Sequence, residues 1–467
     1  MIDLLIRGGT VVTPAGALQA DVAVVGERIS AVGRVDAPAT ETIDASGMLV
    51  LPGLVDAHVH LQLSSWDAVT ANDWHRGTVA AAIGGVTTVI DFATQRRGRP
   101  MMEAVDRSRH DADGHTVIDY GLHMIVTDRT QDTLHEIDEV VRYGIPGFKL
   151  FMTYRAQNVM SDDDDILRVC ARVQECGGLP GVHAENTFIA EGNYARFLAA
   201  GLQSPRYHAL AKPDYVEAEA VNRALFLAQV AGSRLYIYHL TTALGVRLVR
   251  RARQEGQPVL AETCPQYLTL TRDLLDRPDG VNWLCSPPLR DVGDQQALWA
   301  ALGDGTIAVV STDEAGFNAA DKARAAASLP LEAIPNGLPG VELRLPVVYT
   351  QGVLAGRLSL ARFVALNCEN PARVFGLYPR KGTIAPGSDA DLIVIDPGRE
   401  VVLDVDTQHM PVDWCAYRGM KVRGYPAYTV ARGEVVVREY AFCGERGRGR
   451  FVPGKIESGH LESLCGA

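Results

Sequence analysis

No stretch of the 467-residue chain is apolar for the length needed to cross a bilayer, and no compact basic stripe interrupts its balance of 45 Lys and Arg against 56 Asp and Glu. The first absence argues against a helical membrane span. The second, with a net charge of −11, argues against a broad surface for nucleic acid or anionic lipid. The opening residues, "MIDLLIRGGTVV", lack a basic n-region, a long apolar run and a small-residue cleavage site, so no secretory signal is expected. The eight cysteines, at 170, 176, 264, 285, 368, 415, 443 and 465, form no C-x-x-C pair and no disulfide-framework spacing. Free thiols in a reducing, cytoplasmic setting are the expectation. What is present is ordinary for a globular chain, 47% hydrophobic and 22% charged. The length suffices for one large barrel and a smaller domain.

Residues 1–52 carry short β-type runs broken by glycine (Leu4 to Ile6, Val22 to Val25, Ile29 to Val32), and a similar texture returns in "GTIAPGSDADLIVIDP" and "YTVARGEVVVREY". These two pieces are expected to form one small discontinuous β-sandwich domain, 1–52 with 384–440. Between them, short apolar strands alternate with helical stretches. Eight candidate strands, 54–60, 86–92, 116–126, 145–151, 180–184, 234–240, 257–263 and 306–312, predict a (β/α)8 TIM-like barrel over 53–383. Residues 441–467 read as an extended or poorly packed tail.

A barrel of this kind gathers its chemistry at the C-terminal ends of its strands. There the sequence places "VDAHVH", "GFKLF" with Lys149, "GVHAEN" with His183, "YIYHL" with His239 and "VVSTDE" with Asp313. His58 and His60, two apart on a strand, point to one face and can hold one metal ion. Each histidine alone is weak as a signal; their common placement on separate strands is what singles them out. The remaining histidines (75, 110, 115, 123, 135, 208, 409 and 460) do not share it. Lys149 is out of place in a strand buried on both faces, because a lysine ammonium is rarely buried without a partner. Four histidines and one aspartate bring little negative charge for two divalent ions. A neutral Lys149 that has taken up carbon dioxide as a carbamate would supply a bridging anion.

The segments "LPGLVDAHVHL", "GGVTTVIDF", "GFKLFMTY", "VHAEN", "AETCPQYLTL", "CSPPLR", "IPNGLPGVELRLP" and "NPARVFGLYPRKGTIAPGSDADLIVIDP" together resemble the hydantoinases and dihydropyrimidinases, the cyclic-amidohydrolase branch of the amidohydrolase superfamily. The resemblance implies two divalent ions, usually zinc, with His58, His60 and Asp313 on one, His183 and His239 on the other, and N6-carboxylated Lys149 between them. It implies activated water attacking a ring amide carbonyl, Asp313 as general base and then acid, and Tyr154 donating to the developing oxyanion. Ser286 and Asn336 match positions that bind the substrate's amide edges. On residue chemistry alone, Tyr154 equally caps a strand, Ser286 shapes a proline loop and Asn336 starts a turn. The family is commonly homotetrameric, and its substrates are small cyclic amides.

Alternatives come from within and outside this class. Gln62 occupies the place where dihydroorotases carry a substrate-binding arginine; allantoin, also a cyclic ureide, remains open as a substrate. Non-catalytic scaffold relatives have lost metal ligands, whereas every ligand type is present here. Glu314 stands where most relatives have histidine; neighbouring strand residues point to opposite faces, so it need not enter the site, and a second carboxylate that did come near would raise the pKa of Asp313. Leu63, Trp66 and Trp74, in a loop expected over 62–75, and the loop 152–162 either wall the site for a bulky ring substituent or pack locally.

Overall fold

The computed structural model describes residues 1–65 and 68–465. Eight strands, Leu54–Asp56, Val86–Thr94, Asp119–Ile125, Gly147–Phe151, Leu179–His183, Leu235–Ile237, Val259–Thr263 and Val309–Val310, pair in parallel and in chain order. The order follows from the alternation of strand and helix, since right-handed crossovers lay each strand beside its predecessor. Helices cover the outside, so the strands are apolar throughout rather than alternating: "VTTVIDFAT" is buried at every position but the last. The ring closes just beyond the last ladder. Asp313 N–H donates to His58 C=O (2.9 Å) and His60 N–H to Glu314 C=O (2.8 Å). Asp56 tightens this seam by accepting from Thr312 N–H and Oγ1–H at 3.1 and 2.8 Å. Two predicted ligands from the first strand and one from the eighth are therefore brought together by barrel closure itself.

The helices start and stop where their caps dictate. Thr130, Asp162, Asn186 and Thr242 each accept a first-turn backbone N–H. Gly144 and Gly305 end helices in the left-handed region, at φ 103° and 88°. Helix Ala243–Gln254 buries Val246, Val249 and Ala252 at helical spacing and keeps its arginines toward water.

Residues 2–52 and 392–442 form one nine-stranded sheet enclosing its own core of Leu4, Val22, Ile29, Val50, Leu392 and Val430. It joins the barrel through a buried charge cluster in which Lys381 Nζ donates to Asp119 and Asp391 (2.7 Å each) and Arg432 Nε donates to Asp119 (2.9 Å).

The tail expectation is corrected. Ala441–Phe442 is the last strand of that sheet, and the chain from there to Cys465 plugs the N-terminal end of the barrel. Tyr120 N–H donates to Arg450 C=O, Val452 N–H donates back to Tyr120 C=O, and Val452 and Leu461 are buried with Phe375 and Leu377 against the barrel interior. Main-chain bonds do most of this docking, and they leave no apolar periodicity to read.

Candidate active site

The C-terminal ends of the barrel strands open into a cavity of 470 Å³ lined by His60, Lys149, Tyr154, His183, His239, Ser286, Asp313 and Asn336. His58, the ninth predicted site residue, lies wholly buried behind this surface with its Nε2 2.9 Å from Lys149 Nζ. Sequence positions 58 to 336 thus converge on one concave surface of the size that binds small molecules. Three site residues hold left-handed backbone at their strand ends, Tyr154 at φ 63°, His239 at 37° and Asp313 at 51°. Such conformations are costly for residues with a Cβ and are retained where the surroundings enforce them.

Around His58 Nε2 crowd Lys149 Nζ (2.9 Å), Asp313 Oδ1 (3.0 Å) and His60 Nε2 (3.2 Å). Lone-pair nitrogens this close repel unless a proton or cation lies between them. The His183 and His239 rings meet edge to face at 4.4 Å, and buried His239 Nδ1 has no hydrogen-bond partner. Ligand atoms of His58, His60 and Asp313 all lie within 4.8 Å of one another, a spacing that can hold a metal ion. Burial pushes His60 down to about 4 and His239 well below the imidazole range, so both are neutral donors near neutral pH. Asp313, despite burial, is held well below the carboxylate range by His58 and His60 beside it. Neutral His60 and His239 beside an ionised carboxylate are donor chemistry for a divalent cation, whereas His58, raised by Asp313 and Glu262 despite burial and Lys149, would give up its proton on binding one.

Lys149 has no carboxylate within salt-bridge reach among the described residues; its Nζ lies over the rings of Phe92 (4.3 Å) and Tyr238 (4.8 Å). Burial pushes it down to about 8. It therefore does not snorkel to water, and an appreciable fraction is a free amine near neutral pH.

The structure adds residues that sequence reasoning missed. Glu262, at the end of the seventh strand, accepts from His58 Nδ1–H (2.5 Å), Tyr236 O–H (2.9 Å) and His239 N–H (3.2 Å), and so orients two predicted ligands. Glu185 accepts from His183 Nε2–H (2.8 Å) and from Lys212 (2.9 Å), whose ammonium also donates to Ser286 Oγ (2.8 Å). Asp91 receives Leu61 N–H at 2.7 Å and holds the chain just past the H-x-H. Asp91 and Glu262 stand inside apolar strands and Glu185 just beyond one, positions that in sequence do not separate an orienting carboxylate from any other. His123, which the sequence left unassigned, lies inside the barrel with Nε2–H donating to Ala57 C=O (2.9 Å).

Glu314 faces away from the metal-ligand cluster. Its Oε1 accepts from Asn72 Nδ2 (2.8 Å) and Gly316 N–H (3.0 Å), its Oε2 from Gly340 N–H (2.6 Å) and Val341 N–H (2.9 Å). It ties loops together rather than competing with Asp313. Glu314→Gln turns one acceptor into a donor facing buried N–H groups, and should cost about 3 kcal/mol of unfolding free energy, read by urea denaturation. Of the proposed substituent wall, Leu63 lines the cavity. Trp74 does not: it starts helix Trp74–Ile83 and packs edge to face on Tyr120 at 5.4 Å. Trp66 lies outside the described residues.

Comparison with known proteins agrees with this geometry. The model of the amidohydrolase family matches residues 49–196 and 237–436. A D-hydantoinase of Streptomyces coelicolor is 43% identical over 457 residues, covering 96% of this chain and 97% of its own. Among solved structures, a D-hydantoinase superposes with a TM-score of 0.95 at 41% identity, covering 97% of this chain and 99% of its own. The dihydropyrimidinase of Brevibacillus agri does so with a TM-score of 0.95 at 38% identity, covering 98% of this chain and all of its own. With a family match over most of its length and full-length relatives at this identity, the chain belongs to the hydantoinase and dihydropyrimidinase branch of the amidohydrolase family.

Proposed function

We propose that the protein hydrolyses the cyclic amide bond of hydantoins or dihydropyrimidines to N-carbamoyl amino acids. In this reading His58, His60, His183, His239 and Asp313 would hold two divalent ions, zinc in the first instance, and Lys149 carboxylated on Nζ would supply the anion they share. The observation that carries it is Lys149 itself, a buried amine without a counter-ion whose Nζ lies 2.9 Å from a predicted ligand atom. The bound ions would polarise the ring carbonyl and make water nucleophilic near neutral pH.

The chain's own groups supply the rest. Asp313, held ionised by its histidine neighbours, takes the proton of the attacking water; once protonated it is a strong acid beside the departing ring nitrogen, to which it returns that proton. Tyr154 keeps its proton, because burial and Glu185 raise its phenol far above neutral pH; it donates to the carbonyl oxygen as negative charge grows there. Asn336 Oδ1 is buried without a partner among the described residues and would accept a ring N–H. Lys212 fixes the hydroxyl of Ser286 at the opposite side of the ring edge.

Beyond the ring, Leu63, Phe151, Val159 and Ile334 line apolar space that fits an alkyl or aryl 5-substituent. Leu63→Ala should lower kcat/KM for 5-phenylhydantoin about tenfold, the scale of a few methylenes in an apolar pocket. Turnover of dihydrouracil should stay within about twofold, since that substrate carries no such group. The function is tested by incubating metal-loaded protein with dihydrouracil, hydantoin, 5-phenylhydantoin and allantoin and identifying products by mass. Ring-opened N-carbamoyl amino acids support the reading; hydrolysis of allantoin alone would replace it with an allantoinase.

The setting and assembly extend the same proposal. All eight cysteines are free thiols, which favours a reducing, cytoplasmic compartment, and no helix among the described residues is long and apolar enough to cross a membrane. Among the described residues, seven of the fifteen exposed large apolar side chains fall between Phe188 and Val230, a concentration that suits a homotetramer's contact surface. Sedimentation of the purified chain tests the assembly.

A further inference from the structure

Lys322 lies outside the cavity on helix Ala319–Ala326, wholly buried. Among the described residues no carboxylate reaches its ammonium, which donates instead to three main-chain carbonyls: Asn282 (2.7 Å), Leu284 (3.0 Å) and Gly337 (2.7 Å). Three N–H groups meet three acceptors, so its donor capacity is used up. Burying an ammonium without a counter-ion is expensive, and burial pushes Lys322 down to about 7. A methionine or leucine would fill this helix position far more cheaply. The position of its acceptors explains why a lysine is there.

Asn282 and Leu284 lead directly into Ser286, and Gly337 directly follows Asn336. Leu284 C=O also accepts Gly337 N–H at 2.9 Å, so the two segments are bonded to each other as well as to Lys322. Gly337 has φ 147°, and a Cβ there would lie 2.4 Å from the carbonyl oxygen of Ala315, two residues past Asp313. One ammonium thus ties both ring-edge segments together, close against the chain that carries Asp313. The helix bearing Lys322 is itself anchored, with Ala319 N–H donating to Asp413 (2.6 Å) and the Trp414 ring 5.6 Å from Nζ.

We propose that Lys322 is a positioning residue for the reaction: it sets the spacing of the Ser286 and Asn336 segments and thereby the enzyme's preference for rings that present a complete ureide edge. This rests on the hydrolysis proposed above, which native turnover of hydantoin tests independently. The test compares native, Lys322→Met and Lys322→Gln holoenzymes on hydantoin and on succinimide, which has a methylene where hydantoin has a ring N–H. For Lys322→Met we expect unchanged metal per chain and a KM for hydantoin raised about tenfold, the scale of one ring hydrogen bond. Its hydantoin-to-succinimide ratio of kcat/KM should fall several-fold. Lower stability alone would leave that ratio unmoved. Lys322→Gln, with two N–H donors, should fall between native and Met, and it carries the test where the Met variant does not fold. Native KM and a native substrate ratio in either folded variant, alongside native turnover of hydantoin, would overturn the proposal and leave the hydrolase reading standing.

Discussion

Lys149→Met should give a folded chain that neither retains its full metal nor turns over substrate. The native side chain lies among Phe92, Tyr238 and Phe151, with His58 Nε2 its one hydrogen-bond partner among the described residues, so a methionine of similar length fits without leaving a cavity. What disappears is the only nitrogen from which a bridging carbamate can form. If Lys149 holds both ions as proposed, its loss would forfeit the several kcal/mol that metal ions contribute, a fall of about 10⁴-fold in kcat/KM. Metal analysis and turnover of the same sample check both halves. The pH dependence gives a sharper signature, because only the neutral amine reacts with carbon dioxide. With Lys149 pushed down to about 8, its neutral fraction rises from about a tenth at pH 7 to about nine tenths at pH 9. Recovery of metal-free, decarboxylated protein at fixed dissolved carbon dioxide should then be about tenfold faster at pH 9 than at pH 7. A lysine at its ordinary 10.5 would instead show a rise of about a hundredfold.

Asp313→Asn should lower kcat by about 10³- to 10⁴-fold, the upper range for removing a group that serves as both base and acid. The amide keeps an oxygen toward His58 and His60 but cannot take a proton from water or return one to the ring nitrogen. KM should change far less than kcat, since the ring-edge contacts at Ser286 and Asn336 are untouched; steady-state kinetics on hydantoin separate the two. A loss confined to KM would remove the proton-transfer role and leave Asp313 as a ligand alone.

Which parts of this site the sequence disclosed follows from chain locality. The H-x-H spacing, the lysine inside an apolar strand and the acidic or imidazole residue closing each strand are local patterns, and parallel β/α order carries them to one end of a barrel. The orientation of Glu314 stayed open in the sequence: strand alternation allowed it to face away from Asp313 but did not exclude its approach. Glu262 was not legible. Its bond to His58 spans 204 residues, and nothing in "LAET" distinguishes a carboxylate that orients a ligand from one that faces solvent. The Glu185 to Lys212 to Ser286 chain was hidden likewise, since it joins three loops. The two readings of Trp74 stayed open because an aromatic residue beside a loop looks the same in sequence whether it lines a cavity or seeds a helix. The plug formed by Val452 and Leu461 was missed because main-chain bonds at Tyr120 specify it more than side-chain pattern does.

Metal content measured on the purified native chain, with turnover of hydantoin recorded on the same sample before and after chelation, tests the two-ion site most directly. Two divalent ions per chain, with activity lost on chelation and restored by metal together with bicarbonate, is the expected result. Full activity with one ion or none would contradict a centre bridged by Lys149.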